Sequence, residues 1–224
     1  MIRHILIAAW RNMAANRLIS AIAILGLAVG IAAALLMALV VRNQMSFDHF
    51  IPGHARTYLA VSQSTEPGQP PSYFDSTPLQ TAALLKLNLP EVESTTRLML
   101  PPWNIAGQSA VTLRQGQVSA DEAIYWADPN VFDVLPLPVL QGDLASALRR
   151  PDGIVLPRTR ARKYFGRDDV VGRTILVNGH PMMVRAVIED LPADGTSLQS
   201  GIFASGLAPF SPFAGDLSHD FSPV

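Results

Sequence analysis

Four groupings in this chain have residue types that chemistry could use, and their spacing decides against each. Gly166 to Thr174, GRDDVVGRT, has the outline of a phosphate-cradling loop. A phosphate loop needs four residues between its glycines and a lysine after the second; here there are five, and Arg173 takes the lysine's place. The segment reads as a turn from helix to strand. His49, His54, His180 and His219 are scattered and form no HExxH or paired motif, so no metal set is expected, and His49 and His54 read as solvated loop residues. Asp168-Asp169 and Glu189-Asp190 are adjacent acidic pairs, but neighbours on a strand point to opposite faces and cannot share a proton or an ion. No GxSxG elbow or SxxK occurs, so a hydrolase would have no nucleophile to name. Cysteine is absent, which removes thiolate chemistry and disulfides together. The residues thus argue against an enzyme and call for no cofactor.

A different spacing is more informative. Gly26, Gly30, Ala34 and Ala38 recur every fourth residue, which lines four small side chains along one ridge of a helix. In lipid there is no hydrophobic drive between helices, so such a ridge serves close packing against another helix. The element that carries it runs from Leu18 to Val41 without an Asp, Glu, Lys, Arg or His, and Ser20 is its only polar side chain. At a rise of 1.5 Å per residue these residues reach about 36 Å, enough to cross a hydrocarbon core of roughly 30 Å. A cleaved signal peptide would have an apolar run about half as long.

Basic residues close to the span orient it. Arg3, Arg11 and Arg17 precede the apolar run, whereas Arg42 alone follows it closely. Because Lys and Arg resist translocation, the N-terminus is expected in the cytoplasm and everything after about residue 43 outside, in the periplasm or extracellular space. Residues 2–16 place Ile2, Ile5, Leu6, Ala9 and Met13 on one stripe and read as a leader helix lying on the inner membrane surface, with Trp10 in the lipid headgroup layer, or else as a plain cytoplasmic extension of the spanning helix. The domain organisation expected is a leader over 1–17, a transmembrane helix over 18–42 and an exported domain over 43–224. A net charge of −1 gives no reason to expect a nucleic-acid partner.

The exported portion has the signals of a mixed α+β domain. Arg56 to Ser64 alternates like a strand, and Thr77-Pro78 looks like an N-cap and first-turn proline opening a helix through about Leu87. Strand patterns cover 94–100 and 109–126, the second broken at Gln115-Gly116. A helical turn is expected over Asn130 to Leu135, a helix capped by Asp143 through about Arg149, and a short buried strand at Ile154 to Leu156. Arg158 to Phe165 reads as a helix stopped by Gly166. Thr174 to Val177 and Met182 to Ile188 form a hairpin about Asn178-Gly179, with Pro181 marking an edge.

Five stretches, in order, carry a resemblance: AAWRNMAANRLISAIAILGLAVGIAAALLM; MSFDHFIPGHARTYLA, with its aromatic-Asp-x-Phe and Arg-x-Tyr; ADPNVFDVLPLPVLQGDLASALRR; PDGIVLPRTRARKYFG; and DDVVGRTILVNGHPMMVRAVIEDLP. Together they resemble the MacB/FtsX-like permeases of ABC transporters, over their first transmembrane helix and MacB-like periplasmic core domain. The resemblance implies an inner-membrane permease subunit, a homodimer or a heterodimer with another permease, working with a cytoplasmic ABC ATPase. ATP-driven motion would be relayed through the helices to the periplasmic domain for export. Members of that family carry three further spanning helices and an ATPase-contacting loop, so the expectation is of a chain incomplete at its C-terminus. The competing expectation is a single-pass periplasmic binding or sensor protein without transport activity.

Overall fold

In a computed structural model of the chain, the described residues are 11, 15–45, 47–100 and 111–214. The chain divides into two compact units, Met1–Phe47 and Asp48–Val224.

The described part of the first unit is dominated by one helix, α1 (Arg17–Met45), none of whose residues is buried. It contains the whole predicted span and is long and apolar enough to cross a membrane by length and composition. At about 1.5 Å per residue its 29 residues extend about 44 Å, so about two and a half turns in all lie beyond a hydrocarbon core of roughly 30 Å.

The second unit is built on a sheet of nine described strands, in the order β3-β6-β11-β8-β10-β9-β4-β5 with β7 also on β10. These are β3 (Leu98–Met99), β4 (Val111–Gln115), β5 (Val118–Glu122), β6 (Tyr125–Ala127), β7 (Val139–Gly142), β8 (Gly153–Pro157), β9 (Thr174–Val177), β10 (His180–Ile188) and β11 (Phe203–Ser205). Parallel pairs, β6 with β11 and β8 with β10, are mixed with antiparallel ones. The helices are short: α2 (Thr81–Asn88), α3 (Val131–Val134), α4 (Leu144–Ala147) and α5 (Arg158–Phe165). This is the α+β class expected from the sequence.

Alternation along the strands sends side chains to two cores, one on each face. Ile154 and Leu156 of β8 join Trp126, Tyr164, Ile175 and Val184 on one face. Val155 joins Tyr125, Phe132, Leu148 and Phe203 on the other. Strand β10 breaks the alternation. Met182 and Val184 face the first core, but Ala186 and Ile188 face the second. The cause is a bulge: Val184 pairs with Ile154 and Ala186 with Val155, leaving Arg185 as an extra residue that reverses the phase.

Local signals explain most boundaries. Asn178 (φ 48°) and Gly179 (φ 84°) take the left-handed conformations that a type I′ turn requires, closing the β9–β10 hairpin as expected. Asp143 caps α4, accepting a bond from the Ala145 amide at 3.1 Å. Pro181 pairs with Leu176 where β8 has not yet joined the other side of β10, so its missing N–H leaves no bond unmade.

Three expectations fall short. Of residues 94–100, only Leu98–Met99 form a strand. Only Ser62–Ser64 of the segment from Arg56 forms a strand, β1, paired to β2 (Ser72–Phe74) in a separate two-stranded sheet. Residues 57–61 alternate but lack a partner strand, and backbone pairing rather than pattern makes a strand. Thr77 does not cap a helix: Thr81 N–H donates to Pro78 O, so a turn precedes α2, which starts at Thr81.

Candidate functional site

The small-residue ridge lies where the sequence puts it. Gly26, Gly30, Ala34 and Ala38 all fall within α1 and are exposed. A Cβ built on Gly26 or Gly30 would meet nothing within 4 Å. Successive members of an i, i+4 row drift about 40° around the axis, so the ridge is slanted, as in helix pairs that cross at an angle. Arg17 opens the helix. Arg11 is described as a helical, exposed residue, while Arg3 and Trp10 lie outside the described residues.

In the second unit the most concentrated chemistry surrounds a residue the sequence reading passed over. Glu122, at the end of β5, is 6% exposed. Its Oε1 accepts bonds from Lys163 Nζ at 2.6 Å and Tyr164 Oη at 3.1 Å, and its Oε2 accepts one from Arg160 Nε at 2.9 Å. Positions 160, 163 and 164 share one face of α5 by the i, i+3 and i+4 rule, so the helix delivers all three donors together. Burial, then the adjacent Glu122 charge, pushes the Tyr164 hydroxyl above its ordinary value and keeps it protonated. Both carboxylate oxygens are thus committed to cationic or phenolic donors. The cluster joins β5 to α5 and presents no free base.

Beside it opens a cleft of about 470 Å³ lined by residues including Glu122, Thr159, Arg160, Asp190, Gln199 and Ser200. Its hydroxyls are already engaged. Thr159 Oγ1 donates to Asp190 Oδ2, and Ser200 Oγ donates to Ala123 O. Asp190 Oδ1 also accepts from the Thr159 amide, closing the first turn of α5 with a carboxylate placed favourably for the helix dipole. Asp190 is exposed, as expected of a solvated residue, and it also caps α5 from a distant segment. Asp168 is bound as well, bidentate with Arg162, which holds its carboxyl below the ordinary range.

The other predicted groupings are not brought together. Gly166 (φ 70°) stops α5 and Gly172 (φ 83°) makes a second turn, so the glycine-rich stretch is backbone geometry. His49 and His54 do meet, with ring centroids 4.4 Å apart. Among the described residues no group of three or more His, Cys, Asp or Glu converges on one point.

The family described as the MacB-like periplasmic core domain matches residues 20–216. Among solved structures, a domain of a protein assigned as a permease from Porphyromonas gingivalis is similar at 20% identity, over 65% of this chain and 60% of that one, with a TM-score of 0.51. The periplasmic region of MacB from Actinobacillus actinomycetemcomitans is similar at 19% identity, over 63% of this chain and 60% of that one, with a TM-score of 0.47. The chain thus spans 60% of the length of each, and the likeness to the first is one of fold. No curated protein matches.

Proposed function

Because the chain belongs to the family of MacB-like periplasmic core domains, matched over residues 20–216, we propose that it acts as a permease component of an ABC-type transporter or mechanotransmission complex. The family match carries this reading. The apolar α1, with its accessible small-residue ridge, supports it: a helix that must pack against others and move with them needs such a surface. In this role the chain relays movement generated by a cytoplasmic ATPase to an exported domain, and contributes no catalytic group. Its place is the inner membrane, N-terminus inside, in a dimer with itself or another permease. The fully engaged Glu122 cluster and cleft hydroxyls fit a body that is moved and performs no bond chemistry.

The absence of native cysteine makes the test direct. Val139→Cys, exposed at that position, is introduced into the protein as its host makes it, together with any further permease segments that contact an ATPase, and labelled from outside with a membrane-impermeant maleimide. The permease reading expects an ABC ATPase to co-purify and the labelling rate to change when ATP is trapped with vanadate. Labelling that ignores nucleotide, with no ATPase retained, would favour the single-pass binding or sensor protein.

A further inference from the structure

The chain enters its second unit at Asp48, the residue after Phe47. Asp48 has φ 58°, the left-handed region that costs a non-glycine residue about 1–2 kcal/mol. A local turn bond, Ile51 N–H to Asp48 O at 2.9 Å, closes on it, and long-range bonds add to that. Its N–H donates to Gly195 O at 2.8 Å, its Oδ1 accepts from Thr196 Oγ1 and the Ser197 amide, each at 2.9 Å, and its Oδ2 accepts from Ser197 Oγ. Four bonds thus join the first residue of the unit to a segment 148 residues away. Just beyond, Ile51 is 3% exposed in the core that contains Tyr125, Phe132 and Phe203.

The receiving segment is itself tied down on its far side. The Gln199 amide donates to Tyr125 Oη at 3.0 Å, and Ser200 Oγ donates to Ala123 O. Tyr125 lies in β6, which pairs with β3 on one side and β11 on the other. Hydrogen bonds thus tie Asp48 to residues 195–197, and the next residues, 199 and 200, to Tyr125 and Ala123 at the sheet.

We propose that Asp48 is a positioning residue, the point at which movement of the chain leaving the spanning helix enters the exported unit, through residues 195–200 into β6. This rests on the relay role proposed above. The turn is already closed locally by Ile51 N–H to Asp48 O; the additional clamp on Gly195, Thr196 and Ser197 ties the entering chain to a distant segment and so carries a displacement toward the sheet.

The experiment perturbs only the membrane helix and reads the distant loop. The full chain is placed in vesicles of short-chain (fourteen-carbon) or long-chain (twenty-two-carbon) phosphatidylcholine, since mismatch alters helix tilt at fractions of a kcal/mol per Å. Amide hydrogen exchange is then followed at residues 195–200 and, as an internal control, in β8 and β10. In the native chain, exchange at 195–200 should differ by about threefold or more between the lipids, with β8 and β10 unchanged. Asp48→Gly keeps the left-handed backbone accessible and removes the carboxylate, so the lipid dependence should vanish while β8 and β10 stay protected. If β8 and β10 lose protection in that variant, Thr196→Val with Ser197→Ala removes the two hydroxyl donors and is judged by the same criterion. No lipid dependence in the native chain, or its survival in a folded variant, would overturn the proposal. No ATPase is involved, so a lipid effect in this chain, with no ATPase retrieved by the protein as its host makes it, sinks the permease reading and leaves the clamp standing.

Discussion

At the scale of single residues, carboxylates position several elements of the second unit. Glu122 is nearly buried, but Arg160 and Lys163 keep 38% and 39% of their side chains exposed and can turn to water if it is lost. Breaking a fully buried pair costs about 3–5 kcal/mol. Glu122→Ala should therefore cost less, about 2 kcal/mol, read as a lower urea midpoint by tryptophan fluorescence with Trp126 as a buried reporter. Asp143 is held below its ordinary value by the Ser146 hydroxyl and then the Ala145 amide. A depressed folded value means that its contribution is complete above the unfolded value near 3.8 and is lost as pH falls through the folded one. Asp143→Asn should flatten the loss of stability below that pH, measured by melting the chain across an acid series.

At the scale of elements, strand β10 concentrates what patterning cannot show. The bulge at Arg185 turns Ala186 and Ile188 to the second core, and the strand then runs on beside β7. Gly142, at the end of β7, has φ 84°, and a Cβ there would sit 2.2 Å from Arg185 O and 2.8 Å from Ala186 Cα. Neither backbone atom can move without disturbing the bulge. Gly142→Ala is expected to cost about 3 kcal/mol or more, combining left-handed strain with overpacking, and to lower the thermal midpoint by several degrees. The β9–β10 turn was predictable because Asn178-Gly179 carries its geometry in two residues. The short stretch at Ser62–Ser64 was overextended because residues 57–61 have the pattern of a strand and no partner.

At the scale of the whole molecule, the first unit supplies a helix and the second a mixed sheet. The proposed relay requires that the ridge on α1 find another helix. Gly30→Leu fills an open position on that ridge, so disulfide crosslinking between protomers through a cysteine introduced at Ala34 should fall severalfold relative to native Gly30. Unchanged crosslinking would remove the ridge from the argument and leave the fold and family untouched.

Helix α1, the glycine stop after α5, the Asn-Gly turn, the Asp143 cap and the α+β class were all determined by the sequence itself. Each rests on neighbours within a few residues, where propensity and hydrogen bonding are local. The roles of Asp48, Glu122, Asp190 and Arg185 were decided only by tertiary structure. Asp48 meets its partners across 148 residues, Glu122 across 38 to 42, and Asp190 across 31. A carboxylate in a sequence has no address; the fold assigns its donors, and for the nearly buried Glu122 it must, because a charge taken out of water needs one. The phase of β10 likewise depends on which strands flank it, since a bulge is a property of a pair.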